Sequence, residues 1–267
     1  MSGPFDLSGR TALVTGGGRG LGLGISTSLL RAGADVVVLG RGAPAGELAQ
    51  EAQRCGRRLR HHAVDLADPD AVAATAAAVL AEQRVDVLVN NAGTQERHPA
   101  VEFPLDAFDR VLGVNLRAVF QLCQLFGAPM LERGEGRVVN VASLLSFQGG
   151  LTVPAYAASK GAVAQLTKAL CNEWAGRGVG VNAVAPGYMA TDMNEALLAD
   201  PVRREQLSAR IPAGRWGTPQ DVGDVVVFLA SPAAGVRKVT SATGRPPPTR
   251  CGSWPSTAGC SPAPGPS

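Results

Sequence analysis

The chain has 267 residues, 45% of them hydrophobic and 18% charged, enough to bury one large core or two small ones. Its net charge of +3 is too small to argue for a nucleic-acid or membrane partner. Four of the positive charges, Arg237, Lys238, Arg245 and Arg250, lie in residues 233–267, and without them the net falls from +3 to −1.

No apolar run approaches the ~20 residues of a membrane span and the N-terminus lacks a signal-peptide core, so a cytoplasmic protein is expected. Cys55, Cys123, Cys171, Cys251 and Cys260 are odd in number and show no paired C-x-x-C spacing, which favours neither a disulfide framework nor a zinc site. His61, His62 and His98 do not cluster with carboxylates, and no metal is assigned.

Arg10–Thr15 is a short apolar run that reads as a buried strand, and Leu21 to Ala32 shows helical spacing up to Gly33. Between them lies Thr15-Gly16-x-x-x-Gly20-x-Gly22. Strand, glycine turn and helix form the context of a dinucleotide fingerprint: glycines let backbone N–H groups approach a pyrophosphate, and the helix N-terminus adds partial positive charge. Asp35–Leu39 is a second strand, at whose end a carboxylate would grip the adenosine ribose of NAD. No acid stands at Leu39, Gly40 or Arg41. Arg41, with Arg19 in the glycine loop, could instead meet the 2′-phosphate of NADP, or simply be solvated. Both cofactors stay open at this point.

Alternation continues. Pro44–Gly56 reads as a helix, Leu59–Val64 as a strand ending at Asp65, Pro69–Arg84 as an alanine-rich helix, and Val85–Asn90 as a strand opening onto Asn91-Ala92-Gly93. Pro104–Arg133 is a long helical stretch carrying Asn115, and Gly136–Ala142 is a strand that delivers Ser143. Such alternation predicts right-handed βαβ units in a parallel sheet. No linker interrupts residues 10–232, which read as one Rossmann-type, doubly wound α/β domain.

In Ala155-Tyr156-Ala157-Ala158-Ser159-Lys160 the tyrosine and lysine stand four apart, which on a helix leaves ~6 Å between Cβ atoms. A free phenol titrates near ~10, so acid–base work at neutral pH needs a drop of about 3 units, or about 4 kcal/mol. One cation at ~6 Å in an effective dielectric of ~20 supplies about 2.8 kcal/mol. A second cation, such as an oxidised nicotinamide ring, would supply the rest.

Thr15-Gly16-x-x-x-Gly20-x-Gly22, Asn90-Asn91-Ala92-Gly93, Asn115, Ser143, Tyr156-x-x-x-Lys160 and Pro186-Gly187 follow one another in order. Together they resemble the short-chain dehydrogenase/reductase family over residues 10 to about 232. The resemblance implies that Tyr156 exchanges a proton with the substrate oxygen, and that Lys160 holds the nicotinamide ribose and lowers the tyrosine's pKa. It further implies that Ser143 hydrogen-bonds the reacting oxygen and that Asn115 binds a water linking Lys160 to solvent. Gly16, Arg19, Gly20, Leu21, Gly22 and Arg41 would line the cofactor phosphates. Asp65 and Asn91 would border the adenine, and Pro186, Gly187 and Thr191 the nicotinamide carboxamide. Family members mostly form homotetramers through the helices carrying Asn115 and Tyr156, and the apolar faces of Phe103–Leu131 and Val163–Trp174 are compatible with that.

Leu145–Pro154, Ala185–Asp192, Asn172-Glu173-Trp174-Ala175 and Arg210–Gly217 are similar to the group within this family that acts on 2-deoxy-D-gluconate or 2-dehydro-3-deoxy-D-gluconate. That narrower resemblance implies NAD as the usual cofactor and a sugar-acid substrate near Ser143, Gln148, Tyr156, Tyr188 and Met189, with Arg97, Arg210 or Arg215 available for its carboxylate. The rival is a non-catalytic nicotinamide-nucleotide-binding protein. After the apolar helix Asp221–Ala230 the family would add a final strand. Here a basic, proline-rich segment, 233–267, follows instead, and either a frameshift near residue 233 or a genuine, divergent tail would account for it.

Overall fold

Short β-branched runs and longer helical segments give β1 (Thr11–Thr15), α1 (Gly20–Arg31), β2 (Asp35–Gly40), α2 (Gly46–Arg54), β3 (Leu59–Ala63), α3 (Pro69–Glu82) and β4 (Val87–Asn90). After β4 come α4 (Leu105–Leu112), a π-turn (Gly113–Arg117), α5 (Ala118–Arg133), β5 (Gly136–Val141), a 3₁₀ turn (Leu144–Ser146), α6 (Pro154–Trp174) and β6 (Val179–Val184). Two further helices, α7 (Pro201–Ser208) and α8 (Pro219–Ala230), complete the list. This computed structural model describes residues 3–191 and 200–235, except the side chain of Arg203.

The strands lie in the order β3-β2-β1-β4-β5-β6, and each neighbouring pair is parallel. Strand order reverses between β1 and β4, so their carboxyl ends part there and leave the crevice in which doubly wound sheets bind ligands. The central strands β1, β2, β4 and β5 are buried on both faces and read as apolar runs, whereas the edge strand β3 carries Arg60, His61 and His62 and has no buried residue. Within β1, Leu13 joins the core under α3, α5 and α6, while Ala12 and Val14 join the one under α1, α2 and α8. Alternate side chains of one strand thus serve the two layers.

The long helical stretch expected over Pro104–Arg133 runs from Leu105 to Arg133 and holds the π-turn within it, whose Asn115 is fully buried. By length and composition Leu105–Arg133 would suffice to cross a bilayer, contrary to the expectation from the apolar runs; half of its most apolar window is buried within the fold. Leu122, Phe126 and Met130 belong to the core. On α6, Val163, Leu170, Cys171 and Trp174 are also core residues, so that face is occupied within the chain itself. Thr218 and Asp221 start α8 with a capping box. Among the described residues β6 pairs only with β5 and forms the edge of the sheet. The expected replacement of a final strand falls in residues 236–267, outside the described ones.

Candidate active site

The glycine loop stands at the crevice, and its glycines are sterically required. Gly16 has φ +63°, in the left-handed region. A Cβ on Gly22 would lie 2.0 Å from the Gly16 carbonyl oxygen, so α1 can approach the turn only without a side chain there. Asn91 Nδ2 donates to the Thr15 carbonyl at 2.9 Å, and the Thr15 hydroxyl accepts the Asn91 and Ala92 N–H groups, each at 3.0 Å. Asn91 thus ties the ends of β1 and β4 and borders the loop. Thr191 lies over Gly20, its Cβ 3.9 Å from where a side chain on Gly20 would begin.

Leu21 is half-buried, whereas Arg19 and Arg41 are exposed and make no ion pair among the described residues. Gly40 closes β2 with no acidic neighbour, and Asp65 is an exposed residue whose carboxylate accepts the Ala67 N–H at 3.0 Å. A cradle free of side chains, a helix N-terminus and two unpaired guanidinium groups form a donor set that fits a dinucleotide pyrophosphate with an extra phosphate.

Ser143, Tyr156 and Lys160 come together at the carboxyl end of β5. Ser143 caps the 3₁₀ turn, its hydroxyl accepting the Leu145 N–H at 3.1 Å. The same hydroxyl stands by the Tyr156 phenol and favours its ionised form. Lys160 lies beneath, Nζ 5.7 Å from the centre of the tyrosine ring and donating to the Val141 carbonyl at 2.6 Å.

Burial corrects the electrostatics expected from sequence spacing. It raises the Tyr156 phenol above its ordinary value, with the Ser143 hydroxyl opposing it, and pushes Lys160 down to about 8. The ammonium points at a carbonyl rather than at the phenolic oxygen, and the dry surroundings penalise both ionised groups. The lysine alone does not acidify this tyrosine.

Asn115 uses both Nδ2 hydrogens, on the Thr94 carbonyl at 2.9 Å and the Ser159 hydroxyl at 3.0 Å, and its Oδ1 accepts the Thr94 N–H at 2.8 Å. It fastens the loop after β4 to α6 at the residue before Lys160. Over the site, the Leu144 N–H donates to the Pro186 carbonyl at 3.3 Å, and Gly187 lies against Leu144. Met189 is buried and bridges to Gly217, while the Tyr188 ring packs on Trp216 with centroids 5.6 Å apart. Gln148 is exposed on the loop after the 3₁₀ turn.

The three candidate arginines divide. Arg215 is committed to a two-pronged pair with Asp221, at 2.8 and 2.9 Å, that locks the start of α8 and so removes it as a ligand for substrate. Asp221 is held far below the usual carboxylate range chiefly by that guanidinium. Arg97 is exposed beside the loop that ends at Thr152, whose carbonyl accepts the His98 N–H at 3.0 Å. Arg210 is also exposed.

A family profile described as short chain dehydrogenase matches residues 10–201. The chain belongs to that family. It is similar to the 2-dehydro-3-deoxy-D-gluconate 5-dehydrogenase of Bacillus subtilis, 47% identical over 230 residues that span 86% of this chain and 91% of the relative. It is likewise similar to the gluconate 5-dehydrogenase of Gluconobacter oxydans, 40% identical over 86% of this chain and 91% of the relative. A solved structure of a candidate NAD(P) dependent gluconate 5-dehydrogenase from Beutenbergia cavernae, with bound NADP at low occupancy, superposes with a TM-score of 0.84. That relative is 53% identical, over 87% of this chain and 93% of its own. The gluconate 5-dehydrogenase of Burkholderia cenocepacia, solved with NADP and tartrate, gives a TM-score of 0.82 at 39% identity over 86% of this chain and 91% of its own.

Several residues that build this short-chain dehydrogenase site escaped the sequence reading. Asn140, the single polar residue amid Val138-Val139 and Val141, accepts the Asn90 amide at 2.9 Å and donates to the Thr167 hydroxyl at 2.9 Å. A buried amide in a strand is the signal that could have found it. Ser159 and Ser146 carry no such signal, since hydroxyls are ordinary in helices and turns.

Proposed function

We propose that this short-chain dehydrogenase moves a hydride between a nicotinamide cofactor and a secondary alcohol/ketone pair on a small sugar acid. The first candidates are 2-dehydro-3-deoxy-D-gluconate and 2-deoxy-D-gluconate. The observation that carries the reading is the gathering of Ser143, Tyr156 and Lys160, the lysine Nζ 5.7 Å from the tyrosine ring centre, at the carboxyl end of the sheet beside the glycine loop. The sugar-acid dehydrogenases to which the chain is similar support the substrate class.

When bound, the cofactor supplies the hydride donor or acceptor and, oxidised, a positive charge near the phenol. Gly16, Gly20, Leu21 and Gly22 would line its pyrophosphate, Asp65 and Asn91 its adenine, and Pro186, Gly187 and Thr191 its carboxamide. Arg19 and Arg41, unpaired beside a β2 that ends without an acid, favour NADP over NAD. Tyr156 holds the proton exchanged with the substrate oxygen. Ser143 donates to that oxygen, and Lys160 keeps the ring and a ribose in place. Gln148, Tyr188 and Met189 wall the substrate, and Arg97 meets its carboxylate.

The same reading makes the protein a cytoplasmic homotetramer. Exposed Leu105 and Phe120 on α4 and α5 support a subunit contact there. It also keeps residues 1–232 as the catalytic domain and 233–267 as a frameshifted tail, which sequencing of the coding DNA tests.

The deciding experiment follows reduced-nicotinamide absorbance with both sugar acids, in parallel with NAD and NADP. Turnover is expected with at least one, NADP being favoured by about tenfold in kcat/KM. Tyr156→Phe is expected to lower kcat by about 10³-fold with cofactor binding intact. Cofactor binding with no turnover of any sugar acid would refute the reading.

A further inference from the structure

Ser146 is remote from every role assigned above, yet its hydroxyl sits at a junction. Its Oγ donates to the Lys160 carbonyl at 2.7 Å and accepts the Ser143 N–H at 3.3 Å. The Ser146 N–H in turn donates to the Ser143 carbonyl at 2.9 Å. A hydroxyl has one proton, and a carbonyl can only accept, so the direction is forced: Ser143 N–H to Ser146 to Lys160. Lys160 is therefore pinned twice to one short segment, its Nζ to the Val141 carbonyl and its own carbonyl to Ser146. Between those two anchors lies Ser143, whose hydroxyl is aimed by the Leu145 N–H.

We propose that Ser146 is a positioning residue that sets the distance between the Ser143 hydroxyl and the α6 residues Tyr156 and Lys160. The inference rests on the catalytic reading of those three residues. Ser146 itself touches neither substrate nor cofactor. Its hydroxyl holds the 3₁₀ turn against the first turns of α6, and without it the turn keeps only the Ser143 side of its cap. Ser143 then drifts from the phenol, whose ionised form its hydroxyl stabilises, while Lys160 over the ring continues to be held by Val141. A displacement of under 1 Å of a polar group beside a reacting oxygen is enough to change its effect steeply.

The chain contains two tyrosines, so a Tyr188→Phe background leaves Tyr156 as the one phenol to titrate. The test titrates phenolate ultraviolet absorbance in that background, using the full chain, with Ser146, Ser146→Ala and Ser146→Thr, with and without NADP. Kinetics are measured in parallel on the same Ser146 variants carrying Tyr188. Ser146→Ala is expected to raise the Tyr156 midpoint and to lower kcat by about tenfold, with the cofactor KM within about twofold. Ser146→Thr, which keeps the hydroxyl, is expected to restore both. An unmoved midpoint in Ser146→Ala overturns the proposal, even if the melting temperature falls, because that is what a purely structural serine would give. If the parent turns over no sugar acid, the titration still decides the role of Ser146, so the two failures are distinguishable.

Discussion

Replacing Lys160 by methionine removes an ammonium that the fold holds in a dry place. The folded protein releases that proton at about 8, the unfolded chain near 10.5. Below pH 8 both states are protonated, and keeping the charge buried costs the native state about 3 kcal/mol. Between those two values the unfolded chain holds more protons, so stability rises with pH across that window. Methionine fills similar space without charge, at the loss of the charge-assisted Val141 hydrogen bond, about 2 kcal/mol. The net expectation is a variant more stable by about 1 kcal/mol near neutrality, or about 2–4 °C in Tm for a domain of this size.

Urea unfolding of both proteins between about pH 7 and pH 10 measures it. The parent is expected to gain on the variant as pH rises. Tyr156 does not confuse the comparison, because a raised phenol pKa withdraws stability only above its free value of 10.0. A Lys160→Met protein less stable than its parent at neutral pH would refute the argument. So would a stability difference that stays constant across the window.

Gly22→Ala places a Cβ 2.0 Å from the Gly16 carbonyl, so α1 must shift; cofactor affinity is expected to fall more than about tenfold by fluorescence titration, with the protein still helical by circular dichroism. Arg41→Ala is expected to raise the KM for NADP by about tenfold and to leave that for NAD within about twofold, read from initial rates. Arg97→Ala is expected to raise the sugar-acid KM by about tenfold, whereas Arg215→Ala leaves it unchanged and costs about 0–1 kcal/mol of stability, since its pair with Asp221 is largely exposed.

The central strands were legible because parallel strands covered on both faces are largely apolar and glycine turns punctuate them, while β3, with Arg60, His61 and His62, was legible only from its place in the alternation. The long helix was legible in outline, but the π-turn around Asn115 inside it was not, because such a turn has no periodic signature. Arg215 looked available for substrate, since nothing in its local sequence announced that Asp221, at the start of the next helix, would take it.

Local order in the chain determined the glycine loop, the four-residue step from Tyr156 to Lys160 and the order of the strands' partners in catalysis. Tertiary structure alone decided the environment of those groups. Spacing along a helix sets a separation, but acidity depends on how much water remains and on which carbonyl the ammonium meets. Both are set by residues far apart in sequence: Val141 beneath Lys160, Thr94 beside Asn115, and Ser146 against the backbone of α6. Those contacts exist only once β5, the π-turn and α6 have packed, so no local pattern could announce them.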